Sequence, residues 1–410
     1  MLRGLIPLIC IVLIEFYSFQ AIRTVSKSKI VLFLYLLVTL VTVVYIVYNF
    51  SQFDRSVGQT QNSLITTGLF LIFVVPKILI SFILFGEDVF RFIRGVINYF
   101  AGSPNDVAFL PNRRKFISQI ALGMASIPFV SLLYGMTIGK YNFKVIKQTI
   151  FFDDLPDSFD GTTITQISDI HSGSFDDVEK IEYAIDLINQ QNSDLVLFTG
   201  DIVNTHAKEM YPWIAIFKKI HHPILGKYSV LGNHDYGEYS TWKSEQEKEE
   251  NFEAIKDLHR QIDFKLLLNE HVKIQKGSDS IALIGVENWG KHFKKAGDLS
   301  LASKGVSQGD FKILMSHDPS HWNEEVQRNE NKYHLTLSGH THGFQFGIEV
   351  PGWIKWSPVQ YVYKQWAGLY ENNGRFIYVN RGLGFHAFPG RVGIMPEITV
   401  ITLKKAEKLA

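Results

Sequence analysis

The sequence predicts an α/β chain in two parts: a helical membrane region over residues 1–139 and a soluble domain over 140–410. Three observations carry that reading. Four apolar stretches, each of roughly the twenty residues needed to cross a bilayer core, fill the first third. From about Lys144 the pattern turns to short β-branched runs alternating with amphipathic segments. Charge splits at the same place: residues 1–150 hold 14 Lys/Arg against 5 Asp/Glu, a net +9, and the remainder 27 against 35, a net −8. A chain whose overall net charge is +1 is thus two environments joined, not one basic nucleic-acid binder. The single cysteine, Cys10, excludes a disulfide framework and a cysteine metal site.

The expected spans are Leu2–Ile22, Ile30–Phe50, Leu64–Phe85 and Phe116–Ile138. Loop one carries Arg23, Lys27 and Lys29, and loop three Arg91, Arg94, Arg113, Arg114 and Lys115, whereas loop two offers only Arg55. Positive-inside reasoning puts loops one and three in the cytoplasm, which leaves both termini and everything after residue 140 outside. Lys140, Lys144 and Lys147 count mildly against that orientation. The segment near 88–101, "DVFRFIRGVINYFAG", reads as an interfacial helix, with Arg91 and Arg94 at the headgroups. "NRRKFIS" (Asn112–Ser118) is either a twin-arginine-like export signal or a pair of ordinary flanking charges. Glu15 and Lys77 are ionisable residues well inside the spans, at similar expected depth, and either pair or snorkel separately.

In the soluble domain "TTITQIS", "DLVLFTG", "KYSVLG", "SIALIGVE", "FKILMSH" and "YHLTLSG" read as strands. "FDDVEKIEYAIDLINQQ" and "NFEAIKDLHRQI" read as helices between them. Polar residues then fall into place. Asp169 and His171 follow the first strand, Asp201 the second, and Asn233, His234 and Asp235 the third. His317 ends a fourth, and His340 with His342 a fifth. In α/β sheets the loops leaving the C-terminal strand ends converge on one crevice. Five strands ending in carboxylate, imidazole or amide oxygen suit Mn²⁺, Fe²⁺ or Zn²⁺ without thiolate. Two such ions about 3.5–4 Å apart can clamp the attacking and departing oxygens of a phosphoryl displacement. The bridging carboxylate this requires is supplied by "GD", Gly200-Asp201.

"DIH", "GD", "GNHD", "SH" and "GHTHG", in this order over about 145–404, resemble the motifs of calcineurin-like metallophosphoesterases. The tail "YVNRGLGFHAFPGRVGIMPEITVITL" looks like that of their bacterial membrane-associated or exported branch. That branch includes enzymes cleaving the pyrophosphate of UDP-2,3-diacylglucosamine. The resemblance implies a β-sandwich flanked by helices and two divalent ions. Asp169, His171 and His342 would hold the first, Asp201 would bridge, and Asn233, His317 and His340 would hold the second. His234 would face the scissile phosphate, with Asp235 beside it as a further catalytic candidate. The sequence departs from the family pattern twice. Asn204 stands where G-D-x-x-D has an aspartate that orients that histidine, and Phe344 where a glycine is common.

Arg381 is expected to bind phosphate and Phe344 to shape the substrate pocket, while Arg391 reads as a structural ion pair. Trp353, Trp356 and Trp366 are either core or a lipid-facing surface. His386 and His292, among others, match no motif and read as surface or core histidines. The expected protein is an enzyme of a bacterial inner membrane. It hydrolyses a phosphate ester or pyrophosphate of a lipid or envelope substrate by metal-bound hydroxide, outside the cytoplasm, with no nucleic-acid partner. The rival is a non-catalytic metal-binding membrane receptor or scaffold.

Overall fold

The computed structural model describes residues 2–101, 111–350 and 352–406, without the side chains of residues 2–9, 111 and 112. Two compact units divide the chain: Met1–Phe53 with Ile65–Tyr134, and Asp54–Leu64 with Gly135–Ala410.

The first unit is built from α1 (Leu2–Val25), α2 (Lys29–Ser51), α3 (Gln61–Phe100) and α4 (Pro111–Thr137). Among the described residues α2, α3 and the Arg113–Thr137 part of α4 are long and apolar enough to cross a membrane. Many of their large apolar side chains face outward, Val47 and Phe82 among them, as suits a lipid solvent. The segment expected as a separate interfacial helix near 88–101 is the end of α3, which runs unbroken for 40 residues. After Pro76 it meets no further proline, so nothing interrupts its hydrogen-bond ladder. The Lys77 ammonium lies 2.6 Å from the Glu15 carboxylate, with Tyr35 and Thr39 also donating to that carboxylate. Pairing, not separate snorkelling, is how this unit holds its two intramembrane charges. Arg114 reaches Glu87 and Asp88, each at 2.7 Å, and Arg113 lies 3.7 Å from Glu87. The paired arginines of "NRRKFIS" therefore have partners on α3; the side chain of Asn112 lies outside the described residues.

The second unit packs two six-stranded sheets face to face. The first has the order β1 (Lys144–Phe152), β14 (Glu397–Lys405), β2 (Thr163–Ile167), β3 (Leu195–Phe198), β4 (Lys227–Ser229), β5 (Lys265–Leu266). The second runs β12 (Gly368–Asn372), β13 (Arg375–Val379), β9 (Leu335–Ser338), β8 (Lys312–Met315), β7 (Asp279–Gly285), β6 (Glu270–Lys276). A small hairpin, β10 (Ile348–Val350) and β11 (Ile354–Trp356), stands apart from both. The inner strands β2–β3–β4 and β7–β8–β9–β13 pair in parallel, so their C-terminal ends point the same way within each sheet.

Period-two alternation decides which side chain goes where. On β3, Leu195 and Leu197 enter the core between the sheets with Ile313, Met315, Leu335 and Leu337, all fully buried. Val196 and Phe198 point to the other face, where α5 (Val178–Asn189) and α7 (Glu245–Gln261) cover them with Ile181, Ile185, Ile255 and Leu258. Between those helices lies the short α6 (Ile214–Phe217). Asp177 caps α5 and Ser244 caps α7 through side-chain oxygens that accept from the main chain three residues on. Buried on both faces, the central strands read as unbroken apolar runs, and truncating Leu197 to alanine would cost about 2–5 kcal/mol.

Candidate metal centre

Each strand expected to end in a candidate ligand does so, and the local backbone explains how. Asp169 and His171 follow β2, Asp201 follows β3, His317 follows β8, and His340 and His342 follow β9. Asp169, His171, Asp201, His340 and His342 all have positive φ, between 48° and 71°. Left-handed backbone at a non-glycine residue costs about 1–3 kcal/mol and persists only where the surroundings enforce it. Here the enforcement is close packing of main chain on side chain. A Cβ at Gly339 would lie 1.9 Å from Ser168 Oγ and 2.2 Å from the Asp169 carboxylate, so only glycine lets β9 turn into the site. His340 N donates to both Asp169 oxygens at 3.0 Å, and His234 N donates to Asp201 Oδ1 at 2.8 Å.

Two sets of three ligand atoms converge, Asp169–His171–His342 and Asp201–His317–His340, each within 4.8 Å. They interlock: His171 Nε2 is 2.9 Å from His342 Nε2 and 3.6 Å from Asp201, and His317 Nε2 is 3.1 Å from Asp201. Asn233 Oδ1 lies 2.7 Å from His340 Nδ1, beside the second set. His317 donates Nδ1–H to Thr199 O at 2.7 Å, which leaves Nε2 buried without a hydrogen-bond partner. His171 Nδ1 is orphaned likewise. Buried imidazole nitrogens left unpaired beside buried carboxylates are the donor set a divalent cation takes, with the far nitrogen fixed by a carbonyl. The residues therefore fit a metal.

Among the protein's own groups, the charges of the cluster compensate one another. Burial would raise the Asp201 carboxyl, but His317 and His234 outweigh it and hold the group well below its usual range. Burial would lower His317, but Asp201 and Asp169 outweigh it and push the imidazole up to about 10.

Other expected site residues are redistributed. His234 lines the pocket as expected, its Nδ1 2.7 Å from the main-chain O of Asn204. The Asn204 amide does not touch His234; it reaches Ser174 and His386 instead. Asp235 is fully buried and accepts from the main-chain N–H of Asp201, Ile202 and Gly232 at 2.8–3.0 Å. With both oxygens engaged it positions the Asp201 loop and does not reach the pocket. Arg381, expected at the phosphate, is buried between Glu349, at 2.6 Å, and Glu397, which neutralise it away from the site. Arg391, expected in an ordinary ion pair, instead lies beneath the site, 3.1 Å from His342 Nδ1. Burial pushes its guanidinium down to about 9, so it stays charged at neutral pH.

Phe344 lines the pocket with Phe293, Val362 and Phe388 in a cavity of about 510 Å³ over the ligand clusters. Trp366 is core, whereas Trp353 is 79% exposed at the turn of the β10–β11 hairpin. The pocket also holds His386 and His292, which no motif singled out. His386 forms a third cluster with His171 and His234. The available signal was its position: like the other candidates it follows a parallel strand of the sandwich, here β13.

Comparison with known proteins agrees with this geometry. The family described as "Calcineurin-like phosphoesterase" matches residues 162–344, and "Probable Calcineurin-like phosphoesterase, transmembrane domain" matches residues 2–140. The "Uncharacterized metallophosphoesterase YkuE" of Bacillus subtilis is 32% identical over 278 residues, covering 66% of this chain and 89% of that protein. The chain belongs to the calcineurin-like metallophosphoesterases. A Danio rerio "Transmembrane protein with metallophosphoesterase domain" is 27% identical over 289 residues, 68% of this chain and 62% of its own length. An Aquifex aeolicus "Uncharacterized metallophosphoesterase" is 27% identical over 283 residues, 67% of this chain and 98% of that protein. This metallophosphoesterase is therefore a membrane protein and a metal-dependent phosphohydrolase.

Proposed function

We propose that this metallophosphoesterase uses a dinuclear centre to hydrolyse a phosphate ester or pyrophosphate of an amphiphilic envelope substrate, on the extracytoplasmic side of a bacterial membrane. The observation that carries the dinuclear reading is the pair of overlapping donor sets. Asp169, His171 and His342 would hold one ion, and Asn233, His317 and His340 the other. Asp201 would be shared, its Oδ2 lying near both His171 and His317. Bound there, the ions would polarise the phosphoryl group and activate water. The protein's own groups do the rest. Asn204 O holds His234 by Nδ1, so Nε2 is the atom left to move a proton at the leaving oxygen. Asp235 keeps the Asp201 loop in its strained conformation.

An apolar pocket wall of Phe293, Phe344, Val362 and Phe388 beside a cationic centre suits a phosphate carrying a hydrocarbon tail. Exposed Ile348, Val350, Trp353 and Ile354 on the β10–β11 hairpin offer the apolar surface such a substrate needs to leave a bilayer. Two features support the side of the membrane. Loop charges favour loops one and three inside. Residues 54–64, which include most of loop two, pack in the same compact unit as the phosphoesterase domain, which favours both lying on the other side. Lys140, a residue that counted against this orientation, is engaged by Asp176 at 2.5 Å.

The test is turnover by the intact protein in lipid nanodiscs. Candidate phosphorylated lipids and nucleoside-diphosphate lipids would be compared with water-soluble nitrophenyl phosphates, with divalent metal and with chelator. Chelator-sensitive hydrolysis favouring the lipids is expected. Hydrolysis indifferent to the tail removes the amphiphile assignment, and no metal-dependent hydrolysis of any substrate returns the chain to a receptor or scaffold.

A further inference from the structure

Asn204 presents two oxygens to two imidazoles. Its main-chain O lies 2.7 Å from His234 Nδ1 and its Oδ1 3.3 Å from His386 Nδ1. Each imidazole donates through Nδ1, and neither Nε2 has a hydrogen-bond partner among the described residues. Both rings line the pocket, their centroids 4.5 Å apart. His386 thus stands to the pocket as His234 does.

What holds His386 there is a closed ring of hydrogen bonds. Asn204 Nδ2 donates to Ser174 Oγ at 3.1 Å, and Gln59 Nε2 donates to the same oxygen at 2.9 Å. Gln59 Oε1 in turn accepts from Ala387 N at 2.8 Å, beside His386 in the chain. Asn204 and Ser174 are buried, so a broken link would leave polar groups unpaired. An amide at position 204 suits the ring as it stands, donating to Ser174 and accepting from His386. Ala387 has φ 61°, a conformation that needs enforcement, and Gln345 helps supply it by accepting from His386 N at 2.6 Å and donating to Phe388 O at 2.9 Å.

Gln59 does not come from the body of the phosphoesterase domain. It lies in the loop between α2, which ends at Ser51, and α3, which begins at Gln61. Gln61 continues the attachment, donating to Ser174 O at 3.0 Å and Phe175 O at 2.9 Å.

We propose that His386 is a further substrate-contacting residue, its Nε2 facing the phosphoryl group beside that of His234. We propose also that Gln59, from the loop between two membrane helices, is the positioning residue that sets it there. A loop that joins two of the long apolar helices then helps complete the active site. This rests on the phosphoesterase reading above.

The test is a double-mutant cycle, Gln59→Leu and His386→Ala, in the metal-loaded full-length chain. It has two readouts: kcat/KM for nitrophenyl phosphate, and the affinity of inorganic phosphate by calorimetry, with metal content and melting temperature as controls. His386→Ala should weaken both readouts about 10–100-fold, the scale of a lost hydrogen bond to a charged group. Gln59→Leu should weaken both by a smaller factor, with metal content unchanged. The double variant should be no worse than His386→Ala alone, because Gln59 acts through His386. Wild-type phosphate affinity in His386→Ala, or multiplicative losses in the double variant, would overturn the proposal. Phosphate affinity decides it even if the wild type turns over no ester, an outcome that would instead defeat the phosphoesterase reading.

Discussion

In the helical unit each of the charge clusters described meets its opposite. Lys77 lies against Glu15, and Arg114 against Glu87 and Asp88. Around Asp169 and Asp201 opposite groups also meet, His317 Nε2 lying 3.1 Å from Asp201, but many ligand atoms crowd into one place. Two buried carboxylates share one pocket floor with His171, His317, His340 and His342, on a backbone bent into the left-handed region. The first pattern neutralises charge so that helices can stay in an apolar solvent. The second concentrates lone pairs that repel one another unless something cationic is shared among them. The same residue types therefore carry opposite meanings, and substitutions should tell them apart.

The sharpest break is Asp201→Asn. Both donor sets lose the charge they share, and turnover is expected to fall by roughly 10³-fold or more, as for loss of a principal electrostatic group. Metal analysis of the purified variant should give fewer ions per chain than the wild type. Unchanged metal content with normal turnover would remove the dinuclear reading.

In the helical unit the matching pair is Glu15→Gln and Lys77→Met. Either alone strands a charge that costs roughly 2.5–3.5 kcal/mol at the centre of a span. The double variant removes both charges and should recover much of the loss. Melting in detergent, or yield of membrane-inserted protein, reads the coupling, and additive losses would mean that the 2.6 Å contact contributes little.

A third test probes a buried histidine with no hydrogen-bond partner among the described residues. His259 is fully buried on α7, stacked on Phe198 at 5.5 Å, with neither ring nitrogen hydrogen-bonded. Burial pushes its pKa down to about 3 from 6.5. Because the folded value is depressed, the stability is present above pH 6.5 and is lost as pH falls toward 3. By pH 5 the loss amounts to about 2 kcal/mol. His259→Phe keeps a flat ring on Phe198 and should flatten the acid limb between pH 6.5 and 5. Unfolding curves with an unchanged acid limb would place the sensitivity elsewhere.

What the sequence made legible follows the same division. Asp169, Asp201, His317 and His340 were readable because apolar strand runs stop just before them, and a strand end is a local feature. The sandwich layers were legible only through the family resemblance, because central strands such as Leu195/Val196/Leu197/Phe198 are apolar on both faces and show no alternation. Arg381, Asp235 and Asn204 were misjudged because their partners lie far along the chain. Arg381 depends on Glu349, Asp235 on the amides of Asp201 and Ile202 more than thirty residues away, and the Asn204 amide on Ser174 and His386. The Gln59 contact joins residues 115 apart in the chain, and no pattern in a window of residues encodes it.

The smallest expected effect is the most discriminating for His234. If the Asn204 side chain oriented that imidazole, Asn204→Asp would favour its protonated form and help esters with poor leaving groups more than nitrophenyl esters. The contact is a main-chain carbonyl, which the substitution keeps, and the new carboxylate would face His386 Nδ1. Ser174 can turn its hydroxyl to donate to that carboxylate, so the ring around Gln59 can close with reversed polarity. Alkyl and nitrophenyl phosphates should then change by the same factor, within ~3-fold or about 0.6 kcal/mol of barrier. A selective gain for alkyl esters would mean that the side chain reaches His234 in the working enzyme. A selective loss would mean that His386, not His234, serves the leaving group.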